Sequence, residues 1–198
     1  MRRYLLPLLS VTLVSIVASS VAWADSANNV VRFGLGWLDP DADTTVDTGG
    51  TNVHISADNA TAYFVDYERR LIPWLGLDFQ VMYAEPDFTA TPVAGGPATT
   101  QAEKTLTGSG GVNFHIFARS RIDFYVGAYA AWTTFDETFD DAFGYGGLIG
   151  LDVGITKSGL VVTGSVRYTK TDADFSTVSG ASAPYDPILY QLGLGWRF

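Results

Sequence analysis

The sequence predicts an all-β protein, an eight-stranded antiparallel transmembrane β-barrel. Three observations predict it. Eight segments alternate large apolar residues with small or polar ones at a period of two, the connections between them are alternately short and long, and the composition is that of greasy strands. The chain has 21 Gly and 27 aromatic residues (5 Trp, 10 Tyr and 12 Phe) and only 17% charged residues. Such a balance suits β-strands with an apolar outer face better than a helical soluble enzyme.

The first element is not part of the barrel. "MRRYLLPLLSVTLVSIVASSVAWAD" opens with Arg2 and Arg3, continues through an apolar stretch and ends in Ala22-Trp23-Ala24. That order of basic, apolar and small-residue regions predicts a signal peptide over residues 1–24, cleaved before Asp25. The remaining 174 residues, 25–198, are the length of one domain. No later window approaches the roughly 20 apolar residues of a spanning helix. There is no Cys, so no disulfide is used even though an exported chain could carry one. Without Arg2 and Arg3 the formal charge is 10 − 21 = −11, which excludes the basic face that nucleic acid needs.

The strands follow in order. "VVRFGLGWL" sets Val31, Phe33, Leu35 and Trp37 against Arg32, Gly34 and Gly36. "TAYFVDYER" sets Tyr63, Val65 and Tyr67 against Phe64, Asp66 and Glu68, and "WLGLDFQVMYA" sets Leu75, Leu77, Phe79, Val81 and Tyr83 against Gly76, Asp78, Gln80 and Met82. The fourth sets Leu106, Val112, Phe114 and Ile116 against Thr105, Thr107, Ser109, Asn113 and His115. In the fifth, Ile122, Phe124, Val126, Ala128, Ala130 and Trp132 oppose Asp123, Tyr125, Gly127, Tyr129 and Thr133. The sixth opposes Phe143, Tyr145, Ile149, Leu151, Val153 and Ile155 to Gly144, Gly146, Leu148, Gly150, Asp152 and Gly154. The seventh runs from Leu160 to Thr169, and the eighth, "PILYQLGLGWRF", ends the chain.

Links after the second, fourth and sixth strands are short, around Arg70-Leu71-Ile72-Pro73, Ala118-Arg119-Ser120 and Thr156-Lys157-Ser158-Gly159. The others are mostly longer and polar. An even strand number, apolar-out alternation and short turns at one end describe an outer-membrane barrel. Trp37, Trp74, Tyr83, Trp132, Tyr168 and Trp196 fall near strand ends, where interfacial girdles lie. A soluble barrel of lipocalin type would turn the apolar row inward and charge the other row. Here that other row is mostly Gly, Ser, Thr and Tyr, residues that fit the crowded interior of a narrow barrel.

On these residues the sequence resembles the OmpW family of small bacterial outer-membrane proteins, which includes AlkL-like carriers. The resemblance runs through Val31-Arg32-Phe33-Gly34, Tyr83-Ala84-Glu85-Pro86-Asp87-Phe88, Phe124-Tyr125-Val126-Gly127-Ala128, Gly150-Leu151-Asp152-Val153, and Asp186-Pro187 leading into Gly193-Leu194-Gly195-Trp196-Arg197-Phe198. It implies a barrel in the outer membrane and passive uptake of small hydrophobic molecules, released sideways into the bilayer. A structural or adhesive barrel without transport is the alternative. The resemblance also implies that Phe198 is the end signature read by the outer-membrane assembly machinery.

The inward charges need partners, because an unpaired buried charge is costly. Counting from the periplasmic end places Arg32, Glu68, Asp78, Asp123, Asp152 and Arg197 in the lower half, where they are expected to form an ionic plug or to pair as a solid core. Asp66 and Arg167 count higher. Phe64, Met82, Tyr129, Leu148 and Leu189 count nearer the outer mouth and are expected to form a hydrophobic pocket, with Pro86 and Pro187 loosening the wall beside it.

The long loops hold 15 of the 21 carboxylates, among them Asp39, Asp41, Asp43, Asp47, Asp136, Glu137, Asp140 and Asp141. "DPDADTTVD" has alternate Asp residues as a calcium loop does, but lacks the Gly at position six and the Glu at position twelve. An acidic rim facing water and lipopolysaccharide is expected instead. His54-Ile55-Ser56 has the spacing of a base and a nucleophile, but no carboxylate is identifiable to orient His54. No enzymatic activity, cofactor or metal is expected.

Overall fold

The computed structural model describes residues 29–47, 52–117, 120–136, 139–174 and 182–198. The expected signal peptide and Glu137 lie outside the described residues. Among the described residues thirteen strands follow one another: β1 (Asn29–Asp39), β2 (Asp43–Asp47), β3 (Asn52–Ala57), β4 (Ala60–Ile72), β5 (Leu75–Ala84), β6 (Asp87–Pro92), β7 (Thr99–Ala102), β8 (Thr105–His115), β9 (Ile122–Phe135), β10 (Ala142–Gly154), β11 (Leu160–Asp174), β12 (Ser182–Pro184) and β13 (Ile188–Arg197). Eight of them, β1, β4, β5, β8, β9, β10, β11 and β13, pair antiparallel in chain order, and β13 returns to β1. The sheet is therefore closed, and no edge strand is left to lipid.

The register fixes the shape. Followed across the ladders, Asn29 leads through Arg69, Leu77, Val112, Ala128, Gly147, Tyr168 and Ile188 to Asp39, ten residues further along β1. Eight strands with that stagger tilt by about 40° and enclose a lumen that side chains fill. The wall is correspondingly tight. A Cβ on Gly146 would lie 1.9 Å from the Tyr168 carbonyl oxygen, and one on Gly150 would lie 2.2 Å from the Tyr125 ring. Glycine at these two places lets strands and tyrosine rings approach closely.

The outward rows are those the alternation predicts. Phe33, Leu35, Trp37, Val65, Ile149 and Leu192 are exposed, Leu192 to 67%. Exposed apolar residues ring the whole barrel, which is the face hydrocarbon requires. At the short-turn end Trp74 stacks on Phe114 with ring centroids 6.2 Å apart.

The loops hold more structure than an acidic rim. From the first and second long connections come β2, β3, β6 and β7, which form a separate four-stranded sheet. Val46, Ile55 and Phe88 from this sheet pack with Phe139, Ala142, Ala173 and Tyr185 from the other two long connections and their flanking strands. Phe139 lies 5.0 Å from Phe88 and 5.3 Å from Phe135, centroid to centroid. The loop carboxylates Asp41, Asp43, Asp47, Asp136, Asp140 and Asp141 stay exposed around this small core.

Candidate functional site

The lumen is filled in two tiers. Its lower tier is an ion-pair network centred on Arg32 of β1, which is 2% exposed. Arg32 donates from Nη1 to Asp66 (2.7 Å), from Nη2 to Glu68 and Asp152 (2.9 Å each), and from Nε to Asp152 (3.2 Å). Its guanidinium also lies over the Tyr125 ring, 5.1 Å from the centroid. Arg167 of β11 reaches across the lumen, where its Nη2 donates to Asp66 at 3.0 Å and to Asp78 at 2.8 Å. Arg197 meets Asp123 at 3.4 Å and Asp152 at 3.5 Å.

Arg32, Glu68, Asp78, Asp123, Asp152 and Arg197 thus lie in one network, and the structure adds Asp66 and Arg167 to it. Counting along single strands had set those two higher. Asp66 is the ladder partner of Arg32, and the Arg167 side chain carries its charge several ångströms from its own rung.

Two further members escape the sequence reading. Arg70 was assigned to a turn, but β4 continues through it to Ile72 with an irregular register between them. Its side chain points inward and pairs with Glu68 (3.2 Å) and Asp123. His115, on the inward row of β8, is wedged between two carboxylates. Its Nδ1 is 3.2 Å from Asp123, and its Nε2 is 2.8 Å from Glu68 Oε1 without hydrogen-bond alignment. Asn113 completes the set, donating to Glu68 (3.1 Å) and Asp78 (3.3 Å). Inward parity was the available signal for Asn113 and His115; for Arg70 the nearby Pro73 hid it.

Four arginines and a histidine therefore face five carboxylates. Hydrogen bonds on most oxygens are what make such a dry cluster tolerable. Its members come from β1, β4, β5, β8, β9, β10, β11 and β13, so the network spans the full circumference of the barrel.

Above the network apolar side chains gather in two clusters among buried Thr and Gln residues. Phe64, Met82 and Leu189 pack with Leu38, Ala62 and Ala84 as one buried cluster, whereas Leu148 packs with Tyr125, Tyr129 and Ala131 as another. Of the five residues expected to form a pocket, Met82, Tyr129 and Leu189 line a cavity, and Phe64 and Leu148 do not. The cavity measures only 20 Å³, room for about one water molecule. Leu38 and Pro187 also line it, and the rest of its lining is polar, with Gln80, Thr107, Ser109, Thr133, Arg167 and Thr169.

The two prolines differ. Pro86 is fully buried, and its carbonyl accepts from Glu103 N at 2.9 Å, so the wall continues past it. At Pro187 the β11–β13 ladder is patched. The Pro187 carbonyl accepts from Thr169 N (3.0 Å), but its own nitrogen has nothing to donate, and the Asp186 carboxylate takes the next strand amide, Thr171 N (3.0 Å).

His54 does have a carboxylate, Asp43 on the neighbouring strand, with Nε2 to Oδ1 at 3.4 Å. Both side chains are solvent-exposed on the loop sheet (45% and 76%), so water screens the pair and nothing dry surrounds it. Among the described residues no three of His, Cys, Asp or Glu converge as a metal site.

A closed eight-stranded barrel, apolar outside and solidly filled within, with short turns at one end and long loops at the other, defines an outer-membrane β-barrel. Solved structures place it more closely. The fold is similar to that of the outer membrane protein OprG from Pseudomonas aeruginosa, with a TM-score of 0.73 at 17% identity over 88% of this chain and 98% of that one. It is also similar to the outer membrane protein AlkL in DMPC bilayers (0.55 at 17%, over 88% and 92%) and to Neisserial surface protein A (0.54 at 14%, over 88% and 100%). At these identities the likeness is one of fold, and the fold is the one that the OmpW resemblance implies. No family model and no curated protein sequence matches the chain.

Proposed function

We propose that the barrel is a passive carrier that takes small hydrophobic molecules from the outer face and releases them sideways into the bilayer. One observation carries this reading. Two apolar clusters gather in the lumen on the side of the long loops, and ion pairs close it on the side of the short turns, so a greasy solute has apolar contacts above but no way down. The β11–β13 seam at Pro187 supports a lateral exit, since it borders the cavity and lacks one ladder bond. The partners on this reading are outer-membrane lipid around the belt, lipopolysaccharide at the rim, and the outer-membrane assembly machinery at Phe198.

The test is entry of the hydrophobic dye N-phenyl-1-naphthylamine into vesicles whose outer leaflet is lipopolysaccharide. Faster fluorescence gain with the folded protein is expected. The same rate in protein-free vesicles overturns the carrier. A structural barrel without transport is the second reading, favoured by the 20 Å³ cavity; it requires that equality.

A further inference from the structure

We propose that the cavity above the ionic network is a head-group subsite. It takes the neutral oxygen of a small amphipathic molecule, such as a long-chain alcohol, ketone or ester, with the alkyl chain among Leu38, Met82 and Leu189. The inference rests on the carrier reading and names its substrate class.

The argument begins with Arg167, which lines the cavity and is 5% exposed. Both of its carboxylate partners, Asp66 and Asp78, are bonded through the single nitrogen Nη2. Its Nη1 and Nε are buried without an acceptor among the described residues. Tyr129 covers one face of the guanidinium, with the ring centroid 5.3 Å from Cζ, so these donors are free only in the guanidinium plane. Gln191 repeats the pattern. Its Oε1 accepts from Ser165 (2.9 Å) and from the cavity residue Gln80 (3.3 Å), while its buried Nε2 has no acceptor among the described residues.

Buried donors left unpaired are costly and rare, and the two of Arg167, on a residue that lines the cavity, with that of Gln191 one hydrogen bond from the cavity residue Gln80, point to a group bearing lone pairs. Water can serve them at rest, and a ligand oxygen that reproduces the same bonds displaces it without loss.

Charge decides which oxygen. The single positive charge of Arg167 is already shared by Asp66 and Asp78 at 3.0 and 2.8 Å. A third carboxylate there would meet two like charges in a dry lumen. A hydroxyl or carbonyl oxygen accepts the same hydrogen bonds with no such repulsion. Leu38, Met82, Pro187 and Leu189 give the cavity an apolar side, and Met82, unbranched and with three rotatable side-chain bonds, can swing aside to admit a chain. An alkane fills that side but leaves the donors unpaired.

The experiment is an NMR titration of the full protein folded in lipid nanodiscs, reading the Arg167 Nε–H and Gln191 side-chain amide resonances against decan-1-ol, decane and decanoate. Saturable shifts with decan-1-ol, none with decane, and at least tenfold weaker binding of decanoate are expected. Equal shifts with decane, decanoate binding as tightly as the alcohol, or no saturable shift at all (water only) would each overturn the subsite.

Arg167→Lys keeps a charge for Asp66 and Asp78 but removes Nε–H and Nη1. It should weaken decan-1-ol binding about tenfold, the effect of losing one charge-assisted hydrogen bond, read at Gln191; unchanged affinity again overturns the proposal. Saturable shifts together with failed dye entry would remove the carrier and keep the subsite, whereas dye entry with unmoved resonances would do the reverse.

Discussion

Replacing Arg32 by Met tests whether the lower lumen is held by its ion pairs. The side chains are similar in length, so the change removes charge and donors and leaves most of the volume. Arg32 serves three carboxylates. At about 1.5–3 kcal/mol for each charge-assisted interaction, a simple sum would reach roughly 5–9 kcal/mol. The structure argues for less. Asp66 keeps Arg167 at 3.0 Å, and Glu68 keeps Arg70 at 3.2 Å and Asn113 at 3.1 Å. Asp152 is the residue stranded, left among the described residues with Arg197 at 3.5 Å. One stranded buried charge is worth about 3–5 kcal/mol, so that is the expected loss.

The assay is urea unfolding of the barrel in lipid bilayers, followed by tryptophan fluorescence. If Asp152 carries the cost, Arg32→Met combined with Asp152→Leu should regain about 2–3 kcal/mol, the upper range of coupling between neighbours. Arg32→Met within about 1 kcal/mol of the parent, or a double variant no better than the single one, refutes the reasoning. Ion conductance across planar bilayers should also rise in Arg32→Met, because the network closes the lumen around the full circumference.

Three further outcomes are expected. Gly146→Ala should destabilise the barrel by about 1–3 kcal/mol, since its Cβ would lie 1.9 Å from a strand carbonyl, while Gly108→Ala, with nothing within 4 Å, should be silent in the same urea titration. Phe88→Ala removes the ring that packs on Phe139 and Tyr185; it should expose the loop sheet to limited proteolysis and leave the barrel resistant. Burial pushes the Tyr185 hydroxyl well above its ordinary range. The folded form then keeps its proton where the unfolded form ionises, so this contribution is complete below pH ~10 and is lost as the pH rises past that value. Phenolate absorbance at high pH should show Tyr185→Phe with one late-titrating tyrosine fewer than the parent.

The barrel wall was legible because lipid and a narrow lumen impose opposite demands on alternate residues. Phe33, Leu35 and Trp37 against Arg32, Gly34 and Gly36 can be satisfied in one orientation only. The loop core was not legible. Val46, Ile55, Phe88, Phe139 and Tyr185 stand singly in polar chain and acquire a common core only when four connections meet. Heights in the lumen were half-legible. Parity gives the inward face, but a stagger of ten residues around the barrel means that equal counts along two strands are not equal depths. Arg167 pairs with carboxylates on β4 and β5, across the lumen from its own ladder neighbours Leu148 and Leu189.

That same arginine links the two tiers. Its Nη2 belongs to the ionic floor, its other nitrogens are without an acceptor among the described residues, and the residue lines the cavity above. On the carrier reading proposed above, a solute oxygen drawn to those donors is held at the point where the lumen ends. From there the ion pairs bar descent, and the patched seam at Pro187 is the neighbouring part of the wall with a ladder bond already missing. A barrel this narrow cannot keep both a sealed floor and an axial passage. On the carrier reading, the floor that makes the barrel stable also compels the exit to be sideways.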